Sequence, residues 1–291
     1  MQPTMDFARL SPWIVRAAWA ILPFAAGPAL AAALDERSAP LRTAASALLW
    51  AAWAVALCAS LVLHPIALTV LRMIAPAAVA SAGWAAVEMT DLRALVAVGS
   101  SLVAVTLVFL PETGESFVNG PAYPNERRFP LRVPTPLLFG PLLLAWVATI
   151  GAPIAGVLLV SDRRWVPGAI AIAGAAAAAV VLGRAVHGLS RRWVVFVPAG
   201  LVVHDPMSLA DPVLFPKQMV GDVTVAENGS TALDLTQRAA GLTLELTLKE
   251  PAPLVLAKIG RGVGPTVDAD RVLFTPTRPG RVLAELRTRM G

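Results

Sequence analysis

Residues 43–63 have the sequence TAASALLWAAWAVALCASLVL, an apolar stretch without one charged side chain. A helix of about 20 apolar residues matches the thickness of the hydrocarbon core of a bilayer. This stretch therefore predicts a membrane-spanning helix.

The composition of the whole chain agrees with a membrane environment. Only 15% of the 291 residues are charged and the mean hydropathy is +0.67, whereas soluble domains carry about 25% charged residues. The net charge of +5 is spread over several loops, and no basic cluster alternates with aromatic residues. This pattern argues against a nucleic-acid partner.

Six apolar stretches are long enough to span a bilayer, with four or five as the alternative count. They cover residues 14–34, 43–63, 66–87, 94–110, 137–160 and 166–183. The first is longer than the apolar part of an ordinary signal peptide and contains Pro23 and Pro28. We expect it to remain as an uncleaved helix.

The arginines of the short loops predict the orientation, because such residues are enriched on the cytoplasmic side. With six spans both termini share one side. That side holds nine arginines: Arg9, Arg16, Arg72, Arg127, Arg128, Arg132, Arg184, Arg191 and Arg192. The other side holds five: Arg37, Arg42, Arg93, Arg163 and Arg164. We therefore expect a bacterial inner (plasma) membrane protein with both termini in the cytosol.

The longest loop between predicted spans covers residues 111–136 and contains six prolines. So many prolines predict a stiff, extended segment rather than a helix. Its basic residues Arg127, Arg128 and Arg132 are candidates for contact with the C-terminal domain or with a lipid surface, because stiffness and charge together suit a binding loop.

Beyond residue 190 the pattern changes to that of β-strands. Residues 193–197 and 201–205, joined by Pro198-Ala-Gly, predict a hairpin. Residues 242–248 alternate leucine with threonine or glutamate, which predicts one face with Leu242, Leu244, Leu246 and Leu248 and one wet face with Thr243, Glu245 and Thr247. Further short strands are predicted at 213–215, 220–225, 233–236, 254–257 and 272–274.

A final helix is predicted to begin near Pro279, a residue that fits the first turn of a helix. Val282, Leu283, Leu286 and Met290 form one apolar stripe along it. The chain therefore divides into an α-helical membrane bundle of about six helices, residues 1–188, and a β-domain with one helix, residues 189–291.

This order of about seven short strands and one amphipathic helix resembles the bacterial pleckstrin-homology-like domains attached to membrane helices. The hairpin at 193–205, the strand at 220–225 and the closing segment LFTPTRPGRVLAELR at 273–287 carry the resemblance. It implies a β-barrel-like domain, bent and partly open, that the last helix caps, with a role in oligomerisation, protein binding or membrane contact. The membrane part resembles multi-pass membrane proteins of actinobacteria, in line with its arginine- and alanine-rich composition.

The sequence lacks the residue sets that catalysis or metal binding requires. His64, His187 and His204 are too far apart for metal-ligand spacing, and Cys58, the single cysteine, excludes an intrachain disulfide and is expected to be a small buried apolar residue. We find no paired acid–base residues. Neither a cofactor nor enzymatic activity is expected.

Charged residues at membrane depth are the better candidates for function. Arg72 lies about one and a half turns inside the third predicted span. It either extends to the headgroups or pairs with an acidic group or a lipid phosphate inside the bundle. Arg184, Arg191 and Arg192 follow the last span, where each would gain about 1 kcal/mol from anionic lipid. A plain topology signal explains these three arginines equally well.

The sequence favours a non-enzymatic integral membrane protein. Its cytosolic β-domain would bind a protein partner or the membrane surface, or would organise an inner-membrane assembly such as a homo-oligomer. The alternative is a transporter or lipid-handling protein with a polar site near Arg72.

Overall fold

The computed structural model describes residues 7–227, 229–258 and 263–290. The chain forms two compact units. The first comprises residues 1–117 and 141–187, and the second comprises 118–140 and 188–291. The predicted division after residue 188 thus left the segment 118–140 with the helices, whereas the structure groups it with the β-strands.

The helices of the described chain account for all six predicted spans. In chain order they are α1 (Phe7–Asp35), α2 (Ala39–Leu61), α3 (Pro65–Glu88), α4 (Leu92–Phe109), α5 (Pro111–Asn119), α6 (Thr135–Leu138), α7 (Pro141–Ser161), α8 (Trp165–Ser190) and α9 (Pro279–Met290). Six of them, α1 to α4, α7 and α8, are long and apolar enough to cross a membrane. The prediction of six long apolar helices is confirmed.

Local caps explain where two of the spans begin. Pro65 occupies the first turn of α3, and the His64 ring accepts a hydrogen bond of 3.2 Å from the Ile66 N–H. The Asp91 side chain accepts one of 3.1 Å from the Ala94 N–H at the start of α4. Both residues satisfy amides that the first turn of a helix leaves unpaired.

Small residues allow the helices of the first unit to approach closely. Ala75 and Ala82 of α3 and Ala97 and Ala104 of α4 are fully buried. The helices α7 and α8 approach closely at two glycines, because a Cβ atom added to Gly156 would lie 3.2 Å from the Gly168 carbonyl oxygen. Close backbone contact of this kind holds helices together in lipid, where burying apolar surface brings no gain.

Prolines inside the spans leave backbone carbonyls without their helical donor, because proline has no N–H. Pro23 frees the Trp19 carbonyl, and the Trp53 indole of α2 donates to that oxygen at 2.7 Å. In the same way Pro76 frees the Arg72 carbonyl, to which the Trp146 indole of α7 donates at 3.2 Å. Two tryptophans therefore link helices at the points where proline interrupts the hydrogen bonding.

The second unit contains two four-stranded sheets and α9. Its strands are β1 (Arg127–Pro130), β2 (Trp193–Val197), β3 (Gly200–His204), β4 (Val213–Pro216), β5 (Val220–Val225), β6 (Leu233–Asp234), β7 (Leu244–Ala257) and β8 (Val263–Phe274). Sheet 1 has the order β1-β2-β3-β4, and sheet 2 has the order β5-β7-β8-β6. The pairing of β6 with β8 is parallel and the others are antiparallel.

The predicted barrel-like form is not found. In the described strands β4 pairs with β3 and β5 pairs with β7, and no ladder joins sheet 1 to sheet 2. Apolar side chains from both sheets and from α9 nevertheless share one core, with Phe196 and Leu246 fully buried and Leu286 nearly so. The alternating pattern specified which faces are buried, but it did not specify which strands pair at the sheet edges.

The alternation in residues 242–248 holds for most of its length. Leu244, Leu246 and Leu248 are buried as predicted, whereas Leu242 precedes β7 and is 49% exposed. Glu245, expected on the wet face, is buried. Its carboxylate accepts a hydrogen bond from the Ser230 hydroxyl at 2.7 Å and lies 3.4 Å from the Arg271 guanidinium, so polar partners compensate its burial.

Two local expectations were wrong. Residues 111–119 form α5 rather than an extended segment, because Pro111 lies at the start of the helix, where its missing N–H costs nothing, and Glu112 favours the positive end of the helix dipole. Cys58 was expected to be buried but is exposed on α2, since that helix presents much of its apolar surface outward.

Candidate functional site

The segment 118–140 supplies the first strand of sheet 1. Pairs such as Arg128 with Val195 and Pro130 with Trp193 place β1 antiparallel to β2. Phe129 and Leu131 enter the core of the second unit, and the Phe129 ring packs edge-on against Phe196 at 5.7 Å between centroids. The alternation of Phe129 and Leu131 was the only sequence signal for this strand.

The three arginines predicted in this segment have different surroundings. Arg127 and Arg128 lie on β1 and are half-buried. Arg132 follows the strand with an exposed side chain, and its amide donates to the Thr275 carbonyl at 2.8 Å. The first two arginines are thus parts of sheet 1 itself, and Arg132 is joined to the unit through its backbone.

Side chains of sheet 1 that point away from the core form a surface that we call the outer face. Its members include Arg128, Trp193, Val197, Val202, His204 and Leu214, together with Val195, which is only 4% exposed. The Trp193 ring stacks on the His204 imidazole with centroids 5.0 Å apart, and the Arg128 guanidinium lies 5.3 Å from the Trp193 ring centroid. Leu214 is 46% exposed. The sequence predicted His204 to lie in a strand without metal-ligand spacing, and it did not indicate Trp193 or Leu214 as binding residues.

Hydrogen bonds fix the orientation of this stack. His204 Nδ1 donates to the Arg191 carbonyl at 2.6 Å. Arg128 donates from Nε and Nη2 to the two carboxylate oxygens of Glu126, at 2.7 and 3.2 Å. The hydrogen bond from Arg128 is the main reason that the pKa of Glu126 lies below its ordinary value. The cation of the outer face is therefore held in place by a carboxylate on the same segment.

A buried ion pair supports sheet 1 from inside. Arg192, predicted as a lipid contact, is only 1% exposed and forms two hydrogen bonds of 2.7 Å with the Asp205 carboxylate. Its remaining nitrogen, Nη1, donates to the Arg132 carbonyl at 2.9 Å. A side chain so enclosed has no surface to offer a lipid phosphate, so Arg192 ties the segment around residue 132 to the strands.

The other basic residues after α8's apolar stretch are accessible. Arg184 on α8 and Arg191 just after it are exposed. His187 lies between them along the chain, with its Nδ1 3.4 Å from the Thr69 hydroxyl. Of the arginines predicted there for lipid contact, Arg184 and Arg191 remain candidates.

Arg72 lies inside the first unit. The guanidinium is 5.6 Å from the Phe109 ring centroid, and its Nη2 lies 3.1 Å from the position that a Cβ atom would take on Gly114 of α5. Its Nε is buried without a hydrogen-bond partner, and in the described part of the chain no carboxylate forms an ion pair with it. The absence of a side chain at Gly114 provides room for the guanidinium, and a cation–π contact partly compensates its charge.

The described residues contain no group of three or more histidine, cysteine, aspartate or glutamate side chains that could hold a metal ion. Comparisons with known protein families, with curated proteins and with solved structures found no match for this chain.

Proposed function

We propose that the chain is a non-enzymatic protein of the bacterial inner membrane whose cytosolic β-unit binds a protein partner, or a second copy of the chain, through the outer face of sheet 1. One observation carries the proposal: a stacked tryptophan and histidine, a fixed arginine and an exposed leucine share this face. The positive-inside pattern of the loops supports the cytosolic location of the unit and of both termini.

The chemistry of the outer face is that of a binding surface. Tryptophan and arginine are the residues most enriched among those that dominate protein–protein binding energy. Trp193 and Arg128 are already held by neighbours, so little conformational entropy would be lost when a partner docks. The resemblance of the C-terminal sequence pattern to bacterial pleckstrin-homology-like domains is in line with a role in binding or assembly.

The alternative, a transporter or lipid-handling protein with a polar site near Arg72, has less support. The guanidinium of Arg72 lies against Phe109 and Gly114. Arg72 does not line a cavity of 480 Å³ that the first unit contains between α1, α2 and α3. A polar substrate would need charged or hydrogen-bonding groups along such a cavity. The outer face of sheet 1 is therefore the stronger candidate.

Affinity capture with the full-length protein in nanodiscs tests the proposal. The variant Leu214→Glu places a charge on the outer face, whereas Val225→Glu places the same charge on β5 of sheet 2. Both native side chains are 46% exposed, so the two variants are matched. Wild type and Val225→Glu should capture the same protein from membrane extracts, or a differently tagged second copy. Leu214→Glu should lose at least about tenfold of it, because an unpaired charge in an interface is costly.

Equal capture by Leu214→Glu and Val225→Glu would refute the role of the outer face. Recovery of only the monomeric bait, in every preparation, would refute partner binding altogether.

A further inference from the structure

Arg72 is a cation within a long apolar helix, and the chain supplies no anion for it. It lies about two helical turns after Pro65, where α3 begins. In the described part of the chain no ion pair joins Arg72 to a carboxylate. Glu112 and Glu115 of the neighbouring α5 take part in other interactions. Because a charge at membrane depth is costly unless an anion pairs with it, the missing anion has to come from outside the chain.

The depth of Arg72 suits a lipid phosphate. The 24 residues of α3 measure about 36 Å, so the helix extends roughly 3 Å beyond each edge of a hydrocarbon core about 30 Å thick. The Cα atom of Arg72 then lies roughly 7 Å inside the nearer edge. Side chains on a helix lean toward its N-terminus, which for Arg72 is the nearer membrane surface. The flexible stem of an arginine covers such a distance.

Part of the guanidinium is accessible. Arg72 as a whole is half-buried. Its Nε is enclosed, whereas Nη1 and Nη2 form no hydrogen bond with the described residues and keep accessible surface. Gly114 leaves room beside Nη2, since a Cβ atom there would lie 3.1 Å from that nitrogen. Two neighbouring N–H donors at one accessible edge match two oxygens of a phosphate.

Aromatic neighbours agree with this depth. The Phe109 ring, 39% exposed, has its centroid 5.6 Å from the Arg72 Cζ atom. The Trp146 indole donates to the Arg72 carbonyl at 3.2 Å, and its ring packs edge-on against Phe109 with centroids 6.0 Å apart. Tryptophan is enriched at the headgroup level of membrane proteins. The donor edge of Arg72 therefore lies beside apolar ring surface, as a site for an amphipathic anion requires.

We infer that Arg72 binds the phosphate of an anionic phospholipid, whose apolar part lies along Phe109 and Trp146. A dissolved anion would have to lose its hydration at this depth, whereas the phosphate of a lipid is already held near it. The positive-inside pattern places Arg72 in the cytoplasmic leaflet, where anionic lipids are abundant. The site lies outside the cavity of the first unit and requires neither transport nor the outer face of sheet 1.

Lipid titration of the purified full-length protein in dodecyl maltoside tests the site. Native mass spectrometry counts bound phosphatidylglycerol, and thermal unfolding is followed in parallel. Diacylglycerol with the same acyl chains lacks the phosphate, and glycerol 3-phosphate is the soluble form of the phosphate. Arg72→Gln removes the proposed contact. Arg184→Gln is the matched control, because it removes the same charge from an exposed position on α8.

Phosphatidylglycerol should bind the wild type and raise its unfolding temperature. Arg72→Gln should weaken this binding by at least about tenfold, because hydrogen bonds from arginine to phosphate are charge-assisted. Arg184→Gln should weaken it by no more than about threefold, since an exposed charge is screened. Arg72→Lys keeps the charge but loses the paired donors, so its affinity should be intermediate.

Without added lipid, Arg72→Gln should unfold at a temperature no lower than that of the wild type, because it removes an unpaired charge. This measurement separates lost binding from misfolding. An unfolding temperature below that of the wild type would show that Arg72 already has its partner within the chain, and would overturn the inference.

Three binding results would also overturn it. Equal weakening by Arg72→Gln and Arg184→Gln would indicate diffuse attraction to basic residues. Equal affinity for diacylglycerol and phosphatidylglycerol would show that the phosphate is not recognised. Stabilisation by glycerol 3-phosphate but not by phosphatidylglycerol would make the ligand a soluble anion.

Discussion

The buried pair of Arg192 and Asp205 allows a quantitative prediction for Asp205→Ala. The two side chains are 1% and 0% exposed. The Asp205 carboxylate accepts hydrogen bonds from Arg192 Nε and Nη2, from the Ser208 hydroxyl at 2.8 Å and from the Met207 amide at 3.1 Å. Its removal leaves a buried cation with the Arg132 carbonyl as its remaining partner.

Breaking a buried pair in this way costs about 3–5 kcal/mol, because the charge that remains is desolvated and uncompensated. At about 1.4 kcal/mol per factor of ten, amide-exchange protection of β2 and β3 should fall by roughly a hundredfold to several thousandfold. Hydrogen-exchange mass spectrometry on the full-length protein in nanodiscs measures this locally, which is appropriate because a chain with two compact units need not unfold in one step.

Two further variants make the measurement decisive. Asp222→Ala removes an exposed carboxylate that accepts a hydrogen bond from the adjacent Val223 amide, and it should change protection by less than about 0.5 kcal/mol. The double variant Arg192→Met with Asp205→Leu removes both charges and should recover most of the loss. A decrease of less than tenfold in Asp205→Ala, or no recovery in the double variant, would refute the reasoning.

Three other predictions concern single contacts. Trp53→Phe leaves the Trp19 carbonyl unpaired and should cost about 0.6–2 kcal/mol of stability in detergent. In a Pro23→Ala background, where residue 23 supplies an N–H to that carbonyl, the same change should be nearly neutral. Equal costs in both backgrounds would contradict the proline explanation. Gly156→Leu forces α7 and α8 apart and should destabilise the protein by about 1–3 kcal/mol. Gly174→Leu, whose Cβ meets nothing within 4 Å, should not destabilise it. Thermal unfolding of the two variants measures this difference. The pKa of Glu126 is lowered from 4.5 mainly by its hydrogen bond with Arg128. The contribution of this hydrogen bond to stability is therefore present above about pH 4.5 and is lost as the pH falls through the lowered pKa. Amide exchange at 127–130, corrected for intrinsic rates, should show this loss in wild type but not in Glu126→Gln.

The sequence predicted the elements whose signal is local. A stretch of 20 apolar residues has to be a helix in a bilayer, since no water is present to pair its backbone. The sequence therefore predicted six long helices, with four or five as the alternative count. The hairpin of β2 and β3 and the start of α9 at Pro279 likewise followed from turn residues and alternation.

The candidate sites depended on contacts between distant residues. β1 pairs with a strand more than 60 residues later, and a four-residue strand has too weak a pattern to show its partner. Arg192 looked like a juxtamembrane basic residue until the structure placed Asp205 against it. Arg72 of α3 lies against Phe109 of α4 and Gly114 of α5, which no periodicity within one helix can reveal.

By itself, then, the sequence determined that this chain has six long apolar helices and a C-terminal region of short strands that ends in one helix, because hydropathy and alternation act over a few neighbouring residues. The tertiary structure decided that the segment 118–140 belongs to the β-unit, that Arg192 is buried while Arg191 is exposed, and that Arg72 lies against residues of α4 and α5. Those features arise from packing between residues far apart in the chain, whose free energy depends on geometry that local patterns do not contain.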